Sequence, residues 1–229
     1  MSLSYEVLVE GNNIKLDGGF LGLSTIVLVE ANSKKILIDT GHHVTRMMLM
    51  KALDDRGISP DEIDIVFLTH LHFDHVNNID LFTKSKILVA RTEWEYASSP
   101  HVNDHFIPSH IQHTLAELNL EIYDGEPEIT TGVRAISTPG HTPGHMSIFL
   151  ESKELGAVVI AGDAIKYPKE TLTKSCDLAF DTIEIGSKSI VKLMKMADCI
   201  VPGHFPPLYK IDEERFVWKD GASFNLIIR

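Results

Sequence analysis

Ile65-Val66-Phe67-Leu68-Thr69-His70-Leu71-His72-Phe73-Asp74-His75 joins a short apolar run to four potential metal ligands. The run is nearly continuous in apolar residues and fits a strand buried on both faces. The ligand types begin where it ends, at the C-terminal strand end where α/β proteins carry polar side chains out of the core. His70 and His72 are alternate residues, so they point the same way and can grip one ion together. Asp74 and His75 lie past the strand, where the chain turns, and are placed for a second ion. Imidazole nitrogen and carboxylate oxygen suit zinc, and also iron, manganese or cobalt. A lone buried histidine is usually structural; four ligand types packed this densely are not.

Outward from this cluster, strand-like and helix-like segments alternate. Thr25–Glu30 and Lys35–Asp39 read as strands joined by a turn at Asn32-Ser33, hence a hairpin. Thr45–Arg56 has helical spacing and stops at Gly57. Ser59-Pro60-Asp61-Glu62 carries the signature of a helix start: a capping hydroxyl, Pro, then acids. Ile87–Ala90, Val133–Ser137, Met146–Leu150, Ala157–Ala161 and Cys199–Val201 read as further strands, and Thr92–Ala97, His110–Leu118 and Ser187–Met196 as helices. No low-complexity linker interrupts them, so residues 1–229 are expected to form a single domain. Periodicity alone supports α/β or α+β.

The bulk properties narrow the function classes. The chain has 229 residues, 44% hydrophobic and 23% charged, as ordinary globular proteins do. A formal net charge of -11 with no Lys/Arg run argues against nucleic acid as partner. No apolar run reaches membrane-spanning length, and Met1–Tyr5 does not open a signal peptide. Cys176 and Cys199 form no CxxC pair and fit reduced thiols, which with the rest predicts a cytoplasmic protein. The 12 histidines cluster: besides His70–His75 there are His141 and His145, and four between His101 and His113.

Three more candidates end or precede strands. His145 closes Thr138-Pro139-Gly140-His141-Thr142-Pro143-Gly144-His145, Asp163 follows Ile160-Ala161-Gly162, and His204 follows Val201-Pro202-Gly203. With Ile38-Asp39-Thr40-Gly41, these pieces stand in an order that resembles the metallo-β-lactamase superfamily, from about Phe20 to about Phe205. The resemblance implies a four-layer αβ/βα sandwich, two mixed sheets flanked by helices, with metals at one edge of the sheets. It implies that His70, His72 and His145 hold one ion, that Asp74, His75 and His204 hold the second, and that Asp163 bridges them. Asp39 would orient a ligand rather than bind metal, and His141 would support the His145 loop. Two divalent ions, zinc first and iron or manganese next, would share a hydroxide that attacks an ester, thioester or amide carbonyl. Asp74 would orient that nucleophile and shuttle its proton. No G-x-S-x-G motif offers a competing nucleophile.

His72, where a Glu would mark the diiron flavoprotein branch, excludes that branch. Hydroxyacylglutathione thioesterases resemble the ligand set but carry a long helical extension, whereas only Phe205–Arg229 follows His204. A nuclease or phosphodiesterase would show an inserted domain or basic surface, and a mononuclear iron persulfide oxygenase would not need a full second ligand set. The stretch from Ala90-Arg91-Thr92-Glu93-Trp94-Glu95 through Thr138 to Leu150 resembles the N-acyl homoserine lactonase branch. That branch implies a small-molecule lactone or ester substrate and a Tyr that assists at the carbonyl. Tyr167 is the candidate, but it stands four residues after Asp163, where the lactonase pattern has three and this chain has Lys166. Phe106, Ile107 and Pro108 are expected in the pocket wall. His42 and His43 are expected to pack in their loop, and a third metal site at His101, His105, His110 and His113 is disfavoured. Assembly into a homo-oligomer is left open.

Overall fold

The computed structural model describes residues 3–154 and 156–219. In the first half the elements are β1 (Ser4–Val9), β2 (Lys15–Leu16), β3 (Gly19–Phe20), β4 (Ile26–Ala31), β5 (Lys34–Ile38), α1 (Arg46–Asp54), β6 (Ile65–Phe67), α2 (Phe73–Val76), β7 (Lys86–Ala90), α3 (Arg91–Ser98), α4 (Ile111–Ala116) and β8 (Asn119–Tyr123). In the second they are β9 (Glu128–Thr130), β10 (Val133–Ser137), β11 (Met146–Ser152), β12 (Gly156–Gly162), α5 (Pro168–Thr173), α6 (Ile183–Met196), β13 (Cys199–Pro202), β14 (Leu208–Lys210) and β15 (Phe216–Val217). The strands form a six-stranded sheet, β1-β4-β5-β6-β7-β8, and a seven-stranded sheet, β15-β14-β13-β12-β11-β10-β9. Both are mixed: β5 to β8 pair in parallel, as do β12 and β13, while the others are antiparallel.

Alternation along the strands builds the layers. Val27, Val29, Ile36, Ile38 and Phe67 face Ala135, Ile148, Leu150, Val158, Ile160 and Val201 between the sheets. The alternate residues Ile26, Leu28, Leu37 and Val66 pack outward with Leu49 and Leu53 of α1 and Ile111 and Leu115 of α4. On the far side Val159, Ala161 and Ile200 pack against Ile190, Leu193 and Met194 of α6. The chain is therefore the expected four-layer sandwich of the α/β class. The predicted Thr25–Glu30/Lys35–Asp39 hairpin is β4–β5, in antiparallel register Val27 to Ile38.

One element is shorter than its sequence signal. Ser59 and Glu62 do form a capping box, but only a 3-10 turn over Pro60–Glu62 follows. Ile63 is already extended, because the apolar run at Ile65 is claimed by β6. The local helix preference loses to burial of that strand between its neighbours.

Candidate metal centre

The candidate ligands and Asp39 lie in the segments that connect strands to the next element, several of them just past a strand end. Asp39 follows β5, His70 and His72 follow β6, Asp163 follows β12 and His204 follows β13. Asp74 and His75 lie in the single-turn α2. Two features bring these loops close. Asp39 adopts a left-handed backbone, φ 59°, which turns its carboxylate back under the cluster. Gly203 is packed so closely on Asp163 and Gly162 that a Cβ there would collide with them.

The ring nitrogens sort themselves by partner. His70 Nδ1 is 3.0 Å from Thr69 Oγ1, His72 Nε2 is 3.1 Å from Asp104 Oδ2, and His141 Nδ1 donates to the carbonyl of Leu178 at 3.2 Å. That leaves His70 Nε2, His72 Nδ1 and His141 Nε2 to converge; the last two are 3.0 Å apart. Likewise His75 Nδ1 donates to Asp39 Oδ2 at 2.7 Å and His204 Nδ1 to the carbonyl of Leu23 at 3.0 Å. Their Nε2 atoms turn to Asp74, whose Oδ2 is 3.9 Å from His75 and 3.3 Å from His204.

Asp163 stands between the two groups. Its Oδ1 is 3.3 Å from both His75 Nε2 and His204 Nε2, and its Oδ2 is 3.3 Å from His141 Nε2. All seven side chains are buried. Burial, with the charge of neighbouring histidines, holds His70 well below the usual imidazole range. Burial also opposes charge on His75, but the carboxylates of Asp163, Asp74 and Asp39 outweigh it and raise that ring well above its usual range. Asp163 is held well below the carboxylate range: burial raises it, but His204, His75 and His141 win.

Three groups could hold an ion among the described residues: His70, His72 and His141; His70, His75 and Asp163; and Asp74, His75 and His204. His145, expected as a ligand, is in none of them. Its Nδ1 is 2.9 Å from Thr138 Oγ1, and its Nε2 accepts the backbone N–H of Asp163 at 3.0 Å. Both His145 nitrogens therefore have protein partners, while His141 Nε2 faces His72 and Asp163. The tetrapeptide Thr-Pro-Gly-His occurs twice in succession, and it is the resemblance that singles out the second copy, His145. Asp39 is where expected, accepting from Thr69 N and Oγ1 while holding His75.

Glu93 is a residue the sequence quoted without a role. Fully buried, it accepts from Leu71 N at 2.9 Å and Thr142 Oγ1 at 2.6 Å, tying the His70–His75 loop to the His141 loop. Tyr167 lines the pocket, but its hydroxyl donates to Asp177. Lys166 Nζ donates to the buried Glu170 at 2.6 Å. Burial opposes the Lys166 charge, yet Glu170 and Asp163 outweigh it and raise the ammonium above its usual range. His42 packs edge-on against Phe73 and accepts Val44 N, a loop role. His101, His105, His110 and His113 join none of the candidate metal groups.

A cavity of about 510 Å³ opens onto the cluster. Phe20, Phe73, Phe106 and Leu178 give it apolar lining, and Lys15, Lys166 and Lys169 line it as well. Of the expected wall residues Phe106 lines it; Ile107 instead packs into the core under α3 and α4. The hairpin β2–β3, which brings Lys15 and Phe20, gave no sequence signal.

Two helix-flanked mixed sheets with a buried His/Asp cluster at one edge define a class of metal-dependent hydrolases. The model of the metallo-beta-lactamase superfamily matches residues 19–204, and the chain belongs to that superfamily. It is 29% identical to metallo-beta-lactamase domain-containing protein 1 of Xenopus laevis, over 89% of this chain and 80% of that protein. It is 35% identical to an N-acyl homoserine lactonase of Bacillus thuringiensis, over 61% of this chain and 53% of the lactonase, so the match spans about half of that relative's length. The crystal structure of a B. thuringiensis lactonase variant with N-decanoyl-L-homoserine at its active site superposes with a TM-score of 0.72. The identity there is 26%, covering 90% of this chain and 94% of the lactonase. No helix among the described residues is long and apolar enough to cross a membrane.

Proposed function

We propose that the protein hydrolyses a lactone or carboxylic ester with a pair of divalent metal ions, zinc being the first candidate. The observation that carries this reading is Asp163, whose two carboxylate oxygens address two different groups of imidazole nitrogens. The fit to metal is supported by buried polar atoms without hydrogen-bond partners: His70 Nε2, His75 Nε2 and Asp163 Oδ1. Such atoms are costly unless something else satisfies them. His70, His72 and His141 would hold one ion, Asp74, His75 and His204 the other, and Asp163 both. When bound, the ions supply Lewis acidity and activate water for attack on a carbonyl.

The remaining work falls to side chains of the pocket. Asp74, the most exposed of the seven, faces the cavity and can take and return a proton as the leaving oxygen departs. The Lys166 ammonium, kept charged by Glu170, offers hydrogen-bond donors where negative charge develops on oxygen. Tyr167 acts through Asp177, as part of the wall rather than at the carbonyl. The four apolar side chains would receive an acyl arm, and the cavity volume suits a small molecule.

Two tests arise directly. A pH-indicator assay over lactones of graded acyl length, carboxylic esters, thioesters and phosphodiesters should give turnover on lactones or esters. Turnover confined to phosphodiesters would overturn the substrate class, and turnover confined to thioesters would favour the thioesterase alternative. His141→Ala should bind one metal ion fewer, measured by elemental analysis after dialysis. His145→Ala should keep both ions but unfold earlier, by about 2–4 kcal/mol for lost buried contacts.

A further inference from the structure

Asp104 has a place that the mechanism above does not use. It lies in the loop between α3 and α4, far in sequence from every strand-end motif, yet its side chain is fully buried. Four hydrogen bonds fix it. Its Oδ2 lies 3.1 Å from His72 Nε2 and accepts the Tyr96 hydroxyl at 2.7 Å. Its Oδ1 accepts the backbone N–H of Phe106 at 3.0 Å, and its own N–H donates to the His101 carbonyl at 2.8 Å. Phe106 in turn lines the cavity, and its carbonyl accepts the N–H of Phe73, which also lines it.

We infer that Asp104 is a positioning residue, one that locks the His72 ring with Nδ1 toward the cluster and ties that ring to the apolar wall of the pocket. The inference rests on the proposal that His72 is a metal ligand. A carboxylate is acceptor-only when ionised, so the Nε2 facing it carries the proton and Nδ1 keeps its lone pair. Carboxylate partners of this kind fix tautomer and ring direction, and their loss commonly weakens metal binding by about 10–100-fold. The arrangement is one-sided. His75 is held by Asp39 and His204 by the Leu23 carbonyl, partners from other parts of the chain. Asp104 therefore acts directly on the ion that His72 would hold, and reaches the other side only through the Phe106–Phe73 backbone.

The test is a chelator-competition titration with zinc on wild type, Asp104→Ala, Asp104→Asn and His72→Ala, with cobalt(II) absorption spectra of the same proteins. Asp104→Ala should weaken, by about 10–100-fold, the binding step that His72→Ala abolishes, and leave the other step within about twofold. The cobalt band of that one site should change shape. Asp104→Asn, which can still accept from His72, should recover most of the affinity. Tyr96→Phe should cost less than Asp104→Ala, because it removes one donor to the carboxylate and leaves the His72 contact. Circular dichroism checks that each variant folds; if Asp104→Ala does not, Asp104→Leu against Asp104→Asn makes the same comparison. Wild-type affinity at both steps, or equal weakening of both, would overturn the inference. If wild type takes up a single ion, the two-ion proposal fails. Asp104 is then judged on that ion, and the inference falls if His72→Ala leaves it in place.

Discussion

Asp163→Asn should lower kcat/KM on the best lactone or ester by about a thousandfold or more, some 4 kcal/mol of transition-state stabilisation. The carboxylate it replaces contacts His75, His204 and His141, one oxygen toward each group. An amide keeps the size but loses the charge and presents N–H donors to nitrogens that are themselves turned inward. The backbone N–H of residue 163 still donates to His145, so the loop should keep its course. The defect is therefore expected in metal binding, not in folding. Zinc should raise the Tm of wild type, since a ligand of the native state stabilises it by mass action. That rise should shrink sharply in Asp163→Asn, while the Tm without metal changes little. An unaltered zinc-induced rise together with intact turnover would place the reaction elsewhere in the molecule.

Lys166→Met should have two separable effects. Removal of a donor that stabilises charge at the reacting oxygen costs about 10²–10³-fold in kcat. Stability should fall as well, because Glu170, fully buried, would lose its cation. Breaking one side of a buried pair typically costs about 3–5 kcal/mol. The lower end is expected, since Glu170 still accepts the backbone N–H groups of Lys166 and Asp177. Adding Glu170→Gln to Lys166→Met removes the uncompensated charge. The double variant should regain much of the lost Tm, measured by thermal unfolding, and none of the lost activity. Recovery of both would make Lys166 a purely structural partner of Glu170.

Much of the fold was legible because β-branched runs and turn signals mark strands wherever both faces are buried. The β4–β5 hairpin and β6, β10, β11 and β12 all follow from that pattern. The first strand and β8 escaped because Ser4–Val9 and Asn119–Tyr123 are the two edge strands of the six-stranded sheet and mix exposed with half-buried residues. The six-residue α5 escaped because only Pro168 announces it. For the site, local density drew attention to His70 to His75, since chemistry rather than packing explains four ligand residues within six positions. Asp163 and His204 were legible as polar residues ending apolar strands.

Local sequence does not separate the two histidines of the Thr-Pro-Gly-His repeat. Thr138-Pro139-Gly140-His141 and Thr142-Pro143-Gly144-His145 are the same words, and only the direction of each ring separates them. His145 turns back toward Thr138 and Asp163, whereas His141 is held by the Leu178 carbonyl with its Nε2 toward the cluster. Asp104 and Glu93 were silent for a further reason. Single carboxylates in polar surroundings look solvated, and only the tertiary fold buries them against His72 and between two loops.

Where metal binds bears most directly on the proposed chemistry. A crystal structure of zinc-loaded protein, with anomalous diffraction measured at the zinc edge, would locate each ion independently of activity. Two peaks are expected, one against His70 Nε2, His72 Nδ1 and His141 Nε2, the other against Asp74, His75 and His204, with Asp163 reaching both. A single peak, or an ion coordinated by His145 in place of His141, would contradict it.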